Sequence, residues 1–455
     1  MRAFRADSTA AAAIWLALVV LVAYGNALGG PFQFDDYNVI VHEATVHGGS
    51  AWWDDLGGGI RPLLKLSYTL DWMTGAGAPA FHLTNLFIHL ANSWLVYLLA
   101  QRLVQRWAPA ASSLLPLWIA LLFAVHPVNT EAVSYISGRS ASLMTLFYLG
   151  GLLVYIDGRL RQSAFKVQVL TPLLFILSLG CKETAVTFPL ALCLWEWSNG
   201  ARCRDALKAG ASNWLVLLLA ALLFLSSDNY LSQMARSAEF NSLQGNIATQ
   251  LAGFVWLMRQ WALPLWLNID PDLPLHTGLG GALFPLAFTL FLLVLMIALR
   301  RNRPRFSFAL AWAMLHLIPL YLFLPRIDIA NERQLYLAAW PLLAALLIEA
   351  GRHIDLRTLR YALAGVLLAC ISLTVLRNHA YASEIALWQD TATKSPHKAR
   401  VHNNLGYAYL LAHRYPEARS EFTTALQLDP QLSAAHHNLL RTDDEMEKTG
   451  ATHLP

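Results

Sequence analysis

Charge is the first thing this sequence has little of. Of its 455 residues only 14% are charged, against about 25% in ordinary globular chains. Meanwhile 56% are hydrophobic and the mean hydropathy is +0.42. That balance excludes a soluble enzyme. Nor does one sign dominate, since 33 Lys and Arg against 29 Asp and Glu leave a formal charge of +4. The basic residues lie in short clusters rather than one patch, so no nucleic-acid surface is expected. Cysteine is scarce too. Cys181, Cys193, Cys203 and Cys370 lie in or beside apolar segments without paired spacing, which points to neither a disulfide framework nor a thiolate metal site.

What fills the chain instead is apolar runs of roughly 13 to 19 residues, the longer of them about the length that crosses ~30 Å of hydrocarbon as a helix. They cover residues 10–27, 82–100, 114–126, 141–156, 167–180, 184–198, 212–230, 281–299, 307–324, 335–349 and 361–377. The pattern predicts an all-α polytopic membrane protein of about eleven transmembrane helices. The first run follows Arg2 and Arg5 and is longer than the apolar region of a signal peptide, so it reads as a retained helix. Arg102/Arg106, Arg159/Arg161/Lys166, Arg202/Arg204/Lys208, Arg300/Arg301/Arg303/Arg305 and Arg352/Arg357/Arg360 then fall on the same side as the N-terminus. Because Lys and Arg are retained in the cytoplasm, the N-terminus is expected inside and the C-terminus outside. The Trp-rich stretch from Leu251 to Leu267 carries Arg259 and Pro264 and is expected as an in-plane or re-entrant helix on the outer face.

On this topology the membrane domain covers residues 1–377, with a first outer loop at 31–80 and another at 231–280. Residues 378–455 form a polar tail. Within it Leu405-Gly406, Tyr409, Ala418, Phe422, Ala425 and Pro430 have the spacing of a tetratricopeptide repeat, one unit running roughly from Ala399 to Leu432. Trp388 and Pro396 stand at the same relative spacing as Phe422 and Pro430, like the second half of an earlier unit, and Ser433 begins another. About three repeats are needed to bury a continuous core. The tail therefore either packs on the outer loops or is completed by a partner, and it reads as a protein-docking surface.

The outer side also gathers ionisable groups, which are costly near a membrane and usually functional. They include Asp35, Asp36, Arg61, Asp71, His126, Glu131, Arg139, Lys182, Glu183, Arg326, Asp328, Glu332 and Arg333. Asp35 and Asp36 are adjacent carboxylates that raise each other's pKa and suit a base or a ligand for a hydroxyl or cation. His126 and Glu131 flank Pro127 at a spacing that is not a zinc pattern. Arg61 begins a stretch to Met73 with helical apolar spacing, expected to lie flat on the outer surface.

The aspartate pair combines in order with Arg61-Pro62-Leu63, His126-Pro127-Val128-Asn129-Thr130-Glu131-Ala132-Val133, Gly138-Arg139, Lys182-Glu183, Asn331-Glu332-Arg333-Gln334-Leu335-Tyr336-Leu337 and the tetratricopeptide tail. Together these resemble the transmembrane and tetratricopeptide-repeat O-mannosyltransferase group, within the GT-C glycosyltransferases, which use polyprenyl-phosphate sugars. The repeat array is much shorter than in eukaryotic members. The resemblance implies an inverting transfer of one sugar from a polyprenyl-phosphate carrier to Ser or Thr hydroxyls of an exported protein, such as a pilin or another surface protein. Asp35 is the favoured base, with Asp36 positioning the acceptor and Asp36 as base the alternative. Arg333 is the first choice to hold the leaving phosphate, since a guanidinium forks onto two oxygens, followed by Arg139 and Lys182. His126, Glu131, Glu183, Glu332 and Arg61 would orient the site. A monophosphate donor requires no metal, though Asp35 and Asp36 together are able to hold a divalent ion. The same chemistry on a lipid or polysaccharide acceptor is the alternative, and a transporter or flippase is the non-enzymatic one. Compact loops and a C-terminus without a retention signal suggest a bacterial inner membrane with the site facing the periplasm, an endoplasmic-reticulum membrane being the alternative.

Overall fold

Helices begin where the sequence provides proline and end where it provides glycine or polar residues. Proline occupies the first turn of many of them, where its missing N–H costs nothing: Pro62, Pro79, Pro116, Pro172, Pro189, Pro304 and Pro341 all stand there. In the computed structural model, which describes residues 6–57, 59–226, 228, 231–232, 235, 241–318, 322 and 328–449, the chain is helical throughout and contains no strand among the described residues. The membrane part comprises α1 (Ala6–Tyr24), α2 (Pro62–Trp72), α3 (Ala78–Trp107), α4 (Leu115–Val125), α5 (Arg139–Leu160), α6 (Thr171–Leu179), α7 (Phe188–Ser198), α8 (Ala211–Leu225), α9 (Leu243–Ala262), α10 (Leu283–Asn302), α11 (Pro304–Leu317), α12 (Trp340–His353) and α13 (Leu356–Ala380). The ends of the expected runs 212–230 and 307–324, much of 231–240, and Arg326 lie outside the described residues.

Every apolar run coincides with a helix, but they differ in length. Among the described residues five helical stretches are long and apolar enough to cross a membrane: Thr9–Ala27, Ala78–Trp107, Ile136–Leu160, Leu279–Asn302 and Leu356–Ala380. Two bent pairs raise the number to seven, and Lys166–Leu179 and Ala211–Leu225 are shorter. The chain is a multi-pass membrane protein, and the described residues account for five to seven of the eleven expected spans by length and composition. Its lipid-facing surface is plain on α1, α8, α10 and α13, where Ile14, Leu218, Phe291 and Leu368 are exposed. The core between α3, α4, α5, α7, α11 and α12 encloses Tyr148, Tyr155, Trp312, Tyr336 and Trp340.

Both bent pairs break at the end that carries the tail. Pro127 lacks an N–H and disfavours helical geometry at the preceding residue. His126 accordingly turns extended, and the segments Leu115–Val125 and Pro127–Val133 meet at 52°. The freed groups are recaptured locally, since Asn129 donates its amide to the Phe123 carbonyl at 2.7 Å and Thr130 its hydroxyl to that of Pro127 at 2.8 Å. The second pair, Glu332–Ala338 and Trp340–His353, bends by 55° ahead of Pro341. There Trp312 donates its indole N–H to the Leu337 carbonyl at 2.9 Å. A broken helix is tolerated at membrane depth only where such partners satisfy its backbone. The stretch around Leu251–Leu267 forms α9 and a turn-rich segment after it, and α9 is not among the apolar spans found in the described residues.

Past α13 the tail folds as α14 (Glu384–Lys394), α15 (Ala399–Leu411), α16 (Tyr415–Leu428) and α17 (Ser433–Thr449). These are the half unit, the full unit and the beginning of a third that the spacing suggests. Gly406 lets α15 and α16 approach, because a Cβ there would stand 2.7 Å from the Phe422 ring. Of the two arrangements open from sequence, the tail adopts packing on the outer loops. Arg400 grips Asp270 at 2.6 Å and Asp328 at 2.7 Å, Lys398 reaches Asp270 at 2.6 Å, and Asn268 donates to Ser395 at 2.8 Å.

Candidate functional site

The two adjacent aspartates are placed in different environments. Asp36 is 1% exposed, and both its oxygens are engaged. One accepts the Gln33 N–H at 2.9 Å, and the other accepts the Ser137 N–H at 2.9 Å together with the Ser137 hydroxyl. Burial pushes its carboxyl up to about 7 against the pull of these donors. Asp35 is only half-buried. Its backbone N–H donates to the Tyr135 hydroxyl at 3.0 Å, and its side chain feels the Arg333 charge. Burial raises its carboxyl above the usual range, and the Arg333 guanidinium limits the rise. Since Asp36 is already saturated, the pair does not present two uncommitted carboxylates to one ion. Among the described residues no three His, Cys, Asp or Glu side chains gather as a metal set.

The contact between the first outer loop and residues 134–138 requires glycine at 138, where a Cβ would come within 2.0 Å of the Glu131 carbonyl oxygen. Immediately behind it the two helix breaks meet. Glu131, fully enclosed, accepts the Arg333 backbone N–H at 2.9 Å on one oxygen and pairs with the Arg333 guanidinium at 3.0 Å on the other. Arg333 also lies over the Tyr135 ring, 5.9 Å from its centre. Among the described residues its guanidinium forms no second ion pair, and it lines a small cavity with Lys182, Thr145, Thr184, His316 and Gln334. Lys182 and Arg333 thus share one cavity, and Asp35 stands within electrostatic range of Arg333.

Other expected site residues are held elsewhere. Arg139 is completely buried and fully occupied. It donates to Asn85 at 2.6 Å, to the Ser67 carbonyl at 3.1 Å and to the Phe81 carbonyl at 2.8 Å, pairs with Asp71 at 2.6 Å, and stacks on Tyr68 and Phe81. This ties α2 to α3 and α5, so no N–H of Arg139 remains for a phosphate, contrary to the expectation from sequence. Arg61, at φ 57°, forks onto Glu183 through bonds of 2.9 and 2.8 Å. Burial opposes the charge on Glu183, but the guanidinium outweighs it and holds the carboxyl at about 2. His126 accepts the Val128 N–H at 3.4 Å as a helix cap and lines a separate apolar cleft with Trp261 and Trp340. Glu332 faces away from the Arg333 cavity and accepts the Asn268 N–H, with Arg377 3.7 Å away.

Several participants escape sequence reading. Tyr135 and Ser137 supply the hydroxyls that fix the aspartate loop, and only their place just after the His126–Val133 run hints at them. Arg377 ends the last apolar run, where it looks like an ordinary interfacial arginine. It instead links the second helix break to the tail through Glu332 and Asp390. His316 and Gln334 become visible only through the cavity.

Residues 399–432 match the tetratricopeptide repeat family. The chain is also similar along nearly its whole length to protein O-mannosyl-transferases. One from Caenorhabditis elegans, F38B6.6, is 25% identical over 90% of this chain and 61% of its own length. TMTC3 of Mus musculus is 25% identical over 95% of this chain and 52% of its own. Over a shorter stretch, Tmtc2 of Drosophila melanogaster reaches 35% identity, covering 40% of this chain and 21% of the relative. The chain therefore spans about half to three fifths of the length of the curated relatives it matches end to end. No solved structure matches.

Proposed function

We propose that the protein is a membrane glycosyltransferase that moves a single sugar from a polyprenyl-phosphate carrier to Ser or Thr hydroxyls of an exported protein. The observation that carries this is a half-buried carboxylate, Asp35, within electrostatic range of an arginine, Arg333, that lines a cavity beside Lys182. The named activity of the relatives makes mannose the first sugar to test.

In this reading Asp35 removes the acceptor hydroxyl proton as the oxygen attacks the anomeric carbon. The bond from that carbon to the phosphate oxygen breaks in the same displacement, so configuration inverts. The electron pair stays on the phosphate, whose charge Arg333 and Lys182 neutralise. Glu131 orients Arg333, while Asp36 holds the Asp35 loop. Arg139, Arg61 and Glu183 brace the surrounding helices, and Glu332 with Arg377 fastens the second break to the tail. Residues 1–377 carry the reaction, and the tail receives the protein acceptor. All eleven apolar runs enter the membrane, the shorter ones reaching only the polar chamber. The basic loops put the N-terminus in the cytoplasm, which for a bacterial inner membrane places Asp35 in the periplasm.

The test compares intact masses of exported proteins from strains carrying wild type, a deletion, Asp35→Asn, Asp36→Asn and Arg333→Ala. A hexose- or pentose-sized increment that vanishes with Asp35→Asn while the variant still accumulates supports the transfer. Increments unchanged even in the deletion would sink protein glycosylation.

A further inference from the structure

The loop that carries Asp35 is gripped from two directions. Phe34 has φ of +47°, a left-handed conformation that a residue with a Cβ keeps only where its surroundings impose it. Part of what surrounds it is the tail. The Phe34 ring meets Trp388 edge-on with centres 5.0 Å apart, and Trp388 is 1% exposed. The Glu384 carboxylate lies near enough to the Phe34 backbone N–H and the Trp388 indole to feel both dipoles. One residue earlier, Gln33 donates its side-chain amide to the Tyr381 carbonyl at 2.6 Å. From the membrane side the same turn is held by Ser137 on Asp36 and by Tyr135 on the Asp35 N–H. Asp35 therefore sits on the seam between the two parts of the molecule.

We infer that Phe34, Trp388 and Glu384 are positioning residues through which the first tail helix imposes the left-handed turn that presents Asp35 to the Arg333 cavity. The inference rests on Asp35 being the base. The tail is then part of the reaction centre as well as a docking surface, and its loss removes turnover even for an acceptor that does not need it for binding. Phe34 is the informative position, because its ring can be removed without opening the tail's core. Alanine and glycine both delete the ring, and only glycine enters the left-handed region without penalty.

The experiment places Phe34→Ala, Phe34→Gly, Trp388→Phe and Trp388→Ala in the full chain. It measures amide hydrogen exchange of residues 33–37 in the purified protein and the sugar-bearing fraction of exported protein in the expressing strain. Phe34→Ala is expected to speed exchange at 33–37 and to cut transfer about tenfold, with exchange in α15 and α16 unchanged. Phe34→Gly should retain at least about fivefold more transfer than Phe34→Ala, in line with the left-handed penalty for a residue with a Cβ. Trp388→Phe should remain near wild type and Trp388→Ala should fall with Phe34→Ala. Equal exchange and equal transfer in wild type, Phe34→Ala and Phe34→Gly would overturn the inference. If wild type shows no sugar increment at all, the proposed protein glycosylation fails, and the role of Asp35 as its base fails with it. Exchange then still reports whether the tail holds the turn.

Discussion

Two aspartates that are neighbours in the chain are not equivalent in the fold, and the difference is one of hydrogen bonding. Asp36 spends its oxygens on Gln33 and Ser137, whereas the Asp35 carboxyl faces the Arg333 charge. Because burial raises the Asp35 carboxyl, it stays protonated to a higher pH than an ordinary aspartate, and a base acts only when ionised. Transfer should therefore fall as the medium is acidified along a limb lying above the usual carboxylate range, and Asp35→Asn should abolish the activity that limb describes. Initial rates across pH 4 to 8 check this. Asp36 gives a prediction about stability. With its carboxyl at about 7 in the fold, against roughly 3.9 unfolded, the folded state binds its proton more tightly. Its contribution is complete below about pH 4 and is lost as pH rises toward 7. Thermal midpoints in detergent should show that decline in wild type, and Asp36→Asn should lack this component. At the cavity, Arg333→Lys keeps a charge but loses the fork, at a cost of about 1.5–3 kcal/mol for a charge-assisted bond. Transfer should drop about ten- to a hundredfold, read from the sugar-bearing fraction in a time course. The acid pair and Arg333 stand out as candidates in the sequence. The different surroundings of the two aspartates do not, since Asp36 finds its partner a hundred residues downstream at Ser137.

At the scale of elements the apolar runs announce themselves, because period and length alone carry the signal. Pro127 likewise marks the first break. The second break is harder to read, because the run Asn331–Leu337 merges into an apolar stretch before Pro341 and its bend is set by the Trp312 indole on the Leu337 carbonyl. Nor does sequence reveal that the two breaks face each other through Glu131 and Arg333. The role of Arg139 is misread for the same reason. An arginine beside a glycine at a helix start looks available, and only packing shows Asp71, Asn85 and two carbonyls closing around it. Gly138→Ala tests how closely these elements are fitted. Its Cβ has no room beside the Glu131 carbonyl, so the strand of contacts from Ser137 to Asp36 must shift, at about 1–3 kcal/mol. The variant should melt earlier and transfer less, whereas Gly150→Ala, which meets nothing within 4 Å, should match wild type in both.

For the whole molecule, the tail and the membrane body act as one unit. The joint is electrostatic as well as aromatic. Arg400 answers two carboxylates, Asp270 and Asp328, and Lys398 shares the first. Arg400→Glu would gather three acidic groups in a partly buried place, where losing a paired charge costs about 2–5 kcal/mol. The tail should then lift from the outer loops. Limited proteolysis between α13 and α14 should accelerate, and transfer should fall with it.

The Gln33–Tyr381 bond closes a loop of 348 residues, and that separation has a consequence in time. A chain made from its N-terminus inserts α1 first and exposes Asp35 almost at once. The partners that set its turn, Trp388 and Glu384, emerge only after the last membrane helix has left the ribosome. On the proposed function and the inferred role of the tail, the nascent protein is inert toward the carrier lipid throughout its own synthesis and becomes competent in a single late step, when the final helices fold back over the first loop.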